Sequence, residues 1–399
     1  MSTVNNGYIL FLYEDLLLRT VENSLLLFLS CMLLISCTGK RSDGTIVNNE
    51  VALQTEEIHF PQQDVLQLKS YYLSSPVHGD SVNILIGYNY RLHSLDYLDL
   101  ESKQVTQVTL PAKGPHAISR LSGIYVHSLD SVWVSDDSEH VFLVDSRGTV
   151  KNIVDLREYL DDKEQLLINT NYAIHTSRLY YNKNRQSLMF LTQNLSSKVF
   201  AVKEVFINKE KDVAIYYLSP SNIIPDMSAG YSYMSFPNVN YVGENIIYNY
   251  PAESSIYTLN IVTNERNSVM AESNYTSNIV AECTSGKDYA ALERHRLENP
   301  YFYDVMYIPQ YKMYARLHID KVEFDADMGI EKLINDRDLY LMLFDDEMKK
   351  VYEVKLAKHR YNYFTGWCVS YSGIVLFVDN MLDTENNTDD LTIDFVYPK

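Results

Sequence analysis

The chain has 399 residues, a formal net charge of −18 at pH 7, and 46% hydrophobic content with 33 tyrosines. That apolar fraction fills a large core and excludes disorder for the main body. The acidity is spread along the chain, and no basic cluster exceeds Lys40-Arg41 or Arg294-His295-Arg296. Nucleic acid is therefore not an expected partner, because its phosphates demand a basic footprint.

The first recognisable element is an apolar run over residues 25–35, softened only by Ser30 and Cys31. A bilayer span needs about 18 or more such residues, and this run has the length of a signal-peptide core. Arg19, Glu22 and Asn23 stop it from extending upstream. Its end, Leu34-Ile35-Ser36-Cys37, is similar to a bacterial lipobox: aliphatic at −3, small at −1, then a thiol to receive the lipid. Cys31 is a poorer acceptor, with Phe28 at −3 and more apolar residues after it. Residues 1–36 are thus expected to be a leader, Cys37 the lipid attachment site, and 37–52 a flexible tether to the membrane. A leader normally opens with Lys or Arg, and here Arg19 is offset by Glu14, Asp15 and Glu22, so a misassigned start codon is expected to account for the first twenty or so residues. Thr38 rather than Asp at position +2 points to the outer membrane, with the periplasmic or exterior face left open.

From residue 82 onward the chain reads as short alternating strands separated by turns. Only 158–167 and 328–334 read as helical turns. Four segments share one pattern, in which an apolar strand ends in Asp or Asn, a polar turn follows, and a second strand begins. The markers are Asp99, Asp145, Asn260 and Asp345. An acid or amide there accepts turn N–H groups, so these residues have a structural explanation and are not nominated for catalysis. Successive markers lie 46, 115 and 85 residues apart. Read as one, two and two periods, these intervals call for missing copies at 199–202 with 213–218 and at 303–308 with 313–319. All-strand repeats of roughly 40–50 residues are the mark of a β-propeller. Residues 53–399 are expected to form one such all-β domain, with six blades favoured and seven the alternative. Its last blade is one strand short, and an N-terminal strand at 57–60 or 66–73 would close the ring and remove the exposed edges.

Lys113-Gly114-Pro115, Gly123-Ile124-Tyr125, Asp130-Ser131-Val132-Trp133-Val134 and the strand and turn at 142–148 together carry a resemblance. Behind a lipobox, they resemble the propeller lipoproteins of unknown function common in Bacteroidetes. The resemblance implies a six-bladed ring similar to the TolB-type or NHL-type propellers, and it transfers no catalytic residue.

Chemically diagnostic motifs are few. No Gly-x-Ser-x-Gly elbow and no phosphate-cradling glycine loop occurs, and the ten histidines are dispersed. Cys283 and Cys368 read as buried thiols, with a disulfide between them in an oxidising periplasm as the alternative, which nothing in their spacing requires. Asp383, Glu385, Asn387 and Asp389 alternate like calcium ligands, with Asp394 at the twelfth position. Thr388 stands where the sharp turn wants Gly, and Asp394 reads as a strand residue, so an acidic loop is the better reading. No cofactor or metal is expected. Tyr231, Tyr233 and Phe236 lie in a long inter-blade connection and are candidates for a stacking platform. Arg294, His295 and Arg296, flanked by Glu293 and Glu298, are candidates to line a site, or else mark a surface strand crossing.

These observations predict a lipid-anchored, non-catalytic propeller of the cell envelope, binding a protein, peptide or glycan through inter-blade loops near the central channel. The opposing reading is a hydrolase or lyase acting on envelope polysaccharide or peptide. It requires inward-facing acids gathered with His175, His295 or His318.

Overall fold

The computed structural model describes residues 51–61, 71–168, 176–209, 212–224, 229–283, 285, 288–361, 367–385 and 390–399, all within the unit Asn48–Lys399. Cys37 and the leader lie outside them, as do Asn387 and Asp389.

Strands form where apolar runs meet Asx turns, and they pair into six antiparallel sheets. Blade one is β2 (Ser74–Pro76), β3 (Ile84–Asn89), β4 (Ser94–Asp99) and β5 (Gln104–Thr109), preceded in the chain by β1 (Leu53–Pro61). Blade two is β6 (Leu121–Ser128), β7 (Ser131–Asp136), β8 (His140–Val144) and β9 (Val150–Asp155). Blade three holds β10 (Glu164–Leu167), β11 (Tyr180–Asn182), β12 (Ser187–Asn194), β13 (Phe200–Phe206) and β14 (Val213–Tyr217). Blade four is β15 (Asn238–Val242), β16 (Asn245–Asn249), β17 (Ser255–Asn260) and β18 (Arg266–Met270). Blade five is β19 (Tyr301–Ile308), β20 (Met313–Ile319), β21 (Leu339–Phe344) and β22 (Lys350–Lys355). Blade six takes β23 (Cys368–Val369), β24 (Ile374–Phe377) and β25 (Asp390–Pro398) from the end of the chain and β1 from its beginning.

The ring closes through β1, which pairs antiparallel with β25 from Leu53↔Pro398 to Pro61↔Asp390. The count is six, and closure uses the first of the two expected segments.

Middle strands such as β20 and β21 are buried at every position, because blades pack on both of their faces. Outer strands such as β14 and β18 are largely open to solvent. Apolar clusters fill the junctions between blades. Ile86 and Leu95 meet Val134 and Phe142, Trp133 and Val141 meet Leu188 and Phe190, and Ile247 and Ile256 meet Met342 and Phe344.

All four marker residues do the same work. Asp99 Oδ1 accepts from the N–H groups of Glu101 and Ser102, and Asp145 Oδ1 from those of Arg147 and Thr149. Asn260 Oδ1 accepts from Val262 and Thr263, and Asp345 Oδ1 from Glu347 and Lys349. Each ends or follows the third strand of its blade.

Three expectations need correction. Asn260 and Asp345 belong to adjacent blades, so their 85-residue interval is one period, not two. The segments at 303–308 and 313–319 are the inner strands of blade five, whose outer strands carry the Asp345 marker. That interval is swollen by two helices, α1 (Tyr289–Leu297) before β19 and α2 (Ile330–Asn335) between β20 and β21. Residues 158–167 are not one helical turn: a 3-10 turn at Leu156–Tyr159 gives way to β10. The Arg294 triplet is no strand crossing either. It lies on α1, where the Asp288 carboxylate caps the helix by accepting from Ala290 N–H at 3.0 Å.

Candidate functional site

Inner strands of neighbouring blades run in the same direction. Parallel bridges join Val77 to Val126 and Ser177 to Val239, and His78 N–H donates to the Val126 carbonyl at 2.9 Å. The carboxyl ends of these strands surround a cavity of about 260 Å³. Pro76, Tyr125, Tyr180, Tyr241, Met306 and Val369 line it, one from each blade. A second cleft of about 230 Å³ adjoins it, sharing Tyr125 and Tyr180 and adding Tyr181, Lys183 and Glu244. Both open where each blade makes its first hairpin.

The inner edge of blade three is built differently from the others. β10 and β11 both pair with β12, through Leu167↔Leu191 and Tyr180↔Met189, so they are two halves of one strand interrupted opposite Phe190. Thr176, Ser177 and Arg178 lead into β11. The Thr176 N–H donates to Asn238 Oδ1, and Val239 N–H returns a bond to the Thr176 carbonyl at 2.7 Å. Arg178 continues past blade four to Asp304 on β19, its Nε and Nη2 at 3.2 and 3.1 Å from Oδ2. Asp304 reaches inward because β19 is bulged: the register slips between Phe302 and Val305.

Aromatic rings form a continuous wall. His78 stacks on Tyr125 at 4.7 Å, Tyr125 meets Tyr180 edge-on at 5.1 Å, and Tyr180 stacks on Tyr241 at 4.9 Å. Burial pushes the Tyr125, Tyr180 and Tyr241 phenols up, so they stay neutral. His78 is exposed on the cleft, while the protein packed around its ring displaces part of its hydration. That desolvation, followed by the charges of Arg178 and His127, holds its imidazole below its ordinary range. Burial pushes the Asp304 carboxyl up, with Arg178 opposing. Cys368 is fully buried, and burial raises its thiol to about 12, leaving it unreactive.

The five sequence candidates whose side chains are described do not line this cavity. They precede β15 and β19, at the amino ends of the inner strands. Tyr231 is buried in the core, and Phe236 packs edge-on against Phe200 at 5.5 Å. The Tyr233 side chain lies outside the described residues. Arg294 pairs with Glu298 and lies over Phe324, Arg296 pairs with Glu293, and His295 bonds the Ala281 carbonyl. Cys283 is half-buried and, like Cys368, forms no disulfide. Asp383 accepts from Glu385 N–H at 2.9 Å, as in an ordinary turn. Asp394 lies in β25, where Arg360 and Tyr361 bond it. Among the described residues no three His, Cys, Asp or Glu side chains gather as metal ligands.

His318 is fully buried between Phe302 and Tyr340, with Nε2 3.0 Å from Ser273 Oγ. The Ser273 hydroxyl donates to Glu353 at 2.6 Å, so serine stands between histidine and acid, the wrong order for a nucleophilic triad. His295 lies apart on α1, and His175 is outside the described residues. Other buried acids are bonded in the same manner: Asp96 by Tyr71, Asn89, Ser94 and Gln107, and Glu204 by Arg185, Ser187 and Tyr216.

The missed signal is the tyrosine recurring at inner-strand ends, in Tyr180-Tyr181-Asn182 and Asn240-Tyr241-Val242-Gly243.

Similarity to solved structures supports the architecture. A Bacteroides vulgatus member of the DUF4221 family is 14% identical, with a TM-score of 0.68 over 88% of this chain and 99% of that one. A Bacteroides fragilis protein thought to be exported is 14% identical, with a TM-score of 0.57 over 89% of this chain and 98% of that one. At such identities the likeness speaks for the fold alone. The chain has no match among curated proteins. The model of the domain of unknown function DUF4221 matches residues 51–355, from the closing strand through blade five, and the chain belongs to that family.

Proposed function

We propose that the protein is a non-catalytic binding module of the cell envelope, held to the membrane by a lipid on Cys37. The channel mouth would take its ligand, a peptide or glycan. One observation carries the reading: six blades converge on a single cavity walled by four aromatic rings, His78, Tyr125, Tyr180 and Tyr241. Convergent concave sites lined by aromatics are where ligands are held, and a rigid ring presents them without ordering cost. The likeness to a protein thought to be exported supports an extracytoplasmic location. A hydrolase or lyase needs free carboxylates, and among the described residues none lines the channel cavity.

The test is a titration of the full chain with envelope oligosaccharides and peptides, read by tyrosine ring resonances. Tyr180→Ala should weaken binding by about tenfold or more, and Arg294→Ala, at the other end of the ring, should leave it unchanged. The reverse pattern would move the site to the inter-blade loops. For the anchor, fatty-acid labelling and membrane retention should both vanish in Cys37→Ala; an unlabelled native protein would sink that part of the proposal.

A further inference from the structure

Two polar donors on residues that line the channel cavity lack a partner among the described residues. Arg178 directs Nε and Nη2 at one oxygen of Asp304, and Nη2 also approaches Met306 Sδ at 3.7 Å. Its Nη1 has no partner among the described residues, and the side chain borders the cavity. A guanidinium is a rigid planar fork of five donors, so fixing one edge on Asp304 sets the direction of the other.

The second group is the Tyr241 hydroxyl. Tyr241 is 7% exposed and lines the same cavity, and its oxygen has no partner among the described residues. A buried hydroxyl left unbonded costs free energy that a ligand acceptor would recover. Both groups offer protons, one of them on a permanent cation whose other edge Asp304 already holds, and among the described residues no carboxylate lines the cavity.

We infer that the channel cavity receives a small ring-borne carboxylate, bonded by Arg178 Nη1 and the Tyr241 hydroxyl, with the ring against the Tyr125 and Tyr180 wall. The inference rests on the channel-mouth reading above and narrows its ligand. The cavity's volume of about 260 Å³ accommodates a single ring. A sugar acid and an aromatic acid share this chemistry, and the experiment separates them.

The test titrates the full chain with glucuronate and benzoate, each against its neutral counterpart, glucose and benzyl alcohol. At least one acid should bind about tenfold or more tightly than its counterpart, and the pair that discriminates identifies the source. Tyr241→Phe, which removes only the hydroxyl, should erase much of that preference. Arg178→Gln should erase the rest, and Tyr241→Phe keeps the question answerable if loss of Arg178 unfolds the protein. Equal binding of acid and neutral probes, both lost in Tyr180→Ala, overturns the carboxylate while leaving the channel mouth as the site. Acid binding that survives Tyr180→Ala and Tyr241→Phe alike overturns both. No binding of either acid by the native chain overturns the carboxylate inference outright.

Discussion

Arg178 of blade three and Asp304 of blade five form an ion pair across blade four, Nη2 to Oδ2 at 3.1 Å, between residues 126 apart in sequence. Asp304 is 1% exposed and Arg178 16%, so the contact lies inside the ring. Two local departures from regular strand geometry make it: the broken inner strand of blade three and the bulge in β19.

Breaking this pair from one side should be costly. Arg178→Met leaves a buried carboxylate unpaired, and the expected loss is about 3–5 kcal/mol by urea unfolding. The double variant Arg178→Met/Asp304→Leu should recover much of it, because neither charge then remains inside. The pH dependence follows from the direction of the Asp304 shift. Its folded pKa lies above the unfolded value near 3.8, and removing Arg178 raises it further. Stability from this group is therefore full below 3.8 and falls as pH rises through the folded pKa. The defect in Arg178→Met should be smallest in acid and largest at neutral pH. A pH-independent defect would remove Asp304 from the explanation.

Ring closure has the opposite pH signature. Arg360 holds both oxygens of Asp394 on β25 at 2.7 Å and also bonds Glu57 on β1, tying the two ends of the chain together. The hydrogen bond from Arg360 lowers the Glu57 carboxyl below its ordinary 4.5, against some desolvation. The unfolded chain thus takes up this proton first. The stabilisation is present above pH 4.5 and is lost as pH falls through the depressed folded value. Glu57→Gln should flatten the acid limb of the stability profile and leave the neutral-to-alkaline part parallel to the native curve. An unchanged acid limb would mean that closure does not draw on this carboxylate.

How legible all this is from sequence depends on how local the signal is. Asp99, Asp145, Asn260 and Asp345 are readable because an Asx turn is written in four or five consecutive residues. Closure by β1 is readable because a missing strand at one end and a spare strand at the other have one economical solution. The blade boundary between Asn260 and Asp345 is not: α1 and α2 stretch one period to nearly the length of two. Helix α1 itself has a legible start, Asp288 before Tyr289-Ala290-Ala291-Leu292-Glu293, but the charged triplet distracts from it.

The cavity is the least legible part. Its walls come from positions between Pro76 and Val369, one to four per blade, and no window of sequence contains more than a fragment. Inter-blade loops attract attention because they are long and irregular, whereas this cavity is framed by short first hairpins that look like ordinary strand ends. The inner edge of blade three is equally silent, because β10 falls in a segment that reads as a helical turn and joins β11 only once both are seen on β12.

Gly87 offers a sharper test of the packing around the closing blade. A Cβ there would lie 2.4 Å from the ring carbons of Tyr71, whose hydroxyl donates to the buried Asp96 at 2.8 Å. The ring cannot move without disturbing that bond. Gly87→Ala should cost about 1–3 kcal/mol in urea unfolding, and a smaller side chain at Tyr71 should relieve the clash at the expense of the bond. A neutral Gly87→Ala would show that the ring has somewhere to go.

Arg316 holds blades four and five together. Fully buried, it donates from Nη1 to the Ser254 carbonyl and from Nη2 to the Ala271 carbonyl, each at 2.7 Å, on either side of β17 and β18. Phe302 and Phe344 flank the guanidinium at 4.8 and 5.5 Å. Burial lowers its pKa to about 9, which still leaves it charged at neutral pH. A lysine ammonium is a compact point charge and cannot span two carbonyls while lying flat against an aromatic face. Arg316→Lys should therefore be far from conservative, losing about 2–4 kcal/mol in urea unfolding, with Arg316→Met comparable because both carbonyls lose their donors. Tyrosine ring resonances at the channel should stay in place in either variant, since Arg316 lies outside the cavity lining. If Arg316→Lys unfolds at the native urea midpoint, the clamp on Ser254 and Ala271 is dispensable and the blade junction rests on Ile247, Met342 and Phe344 alone.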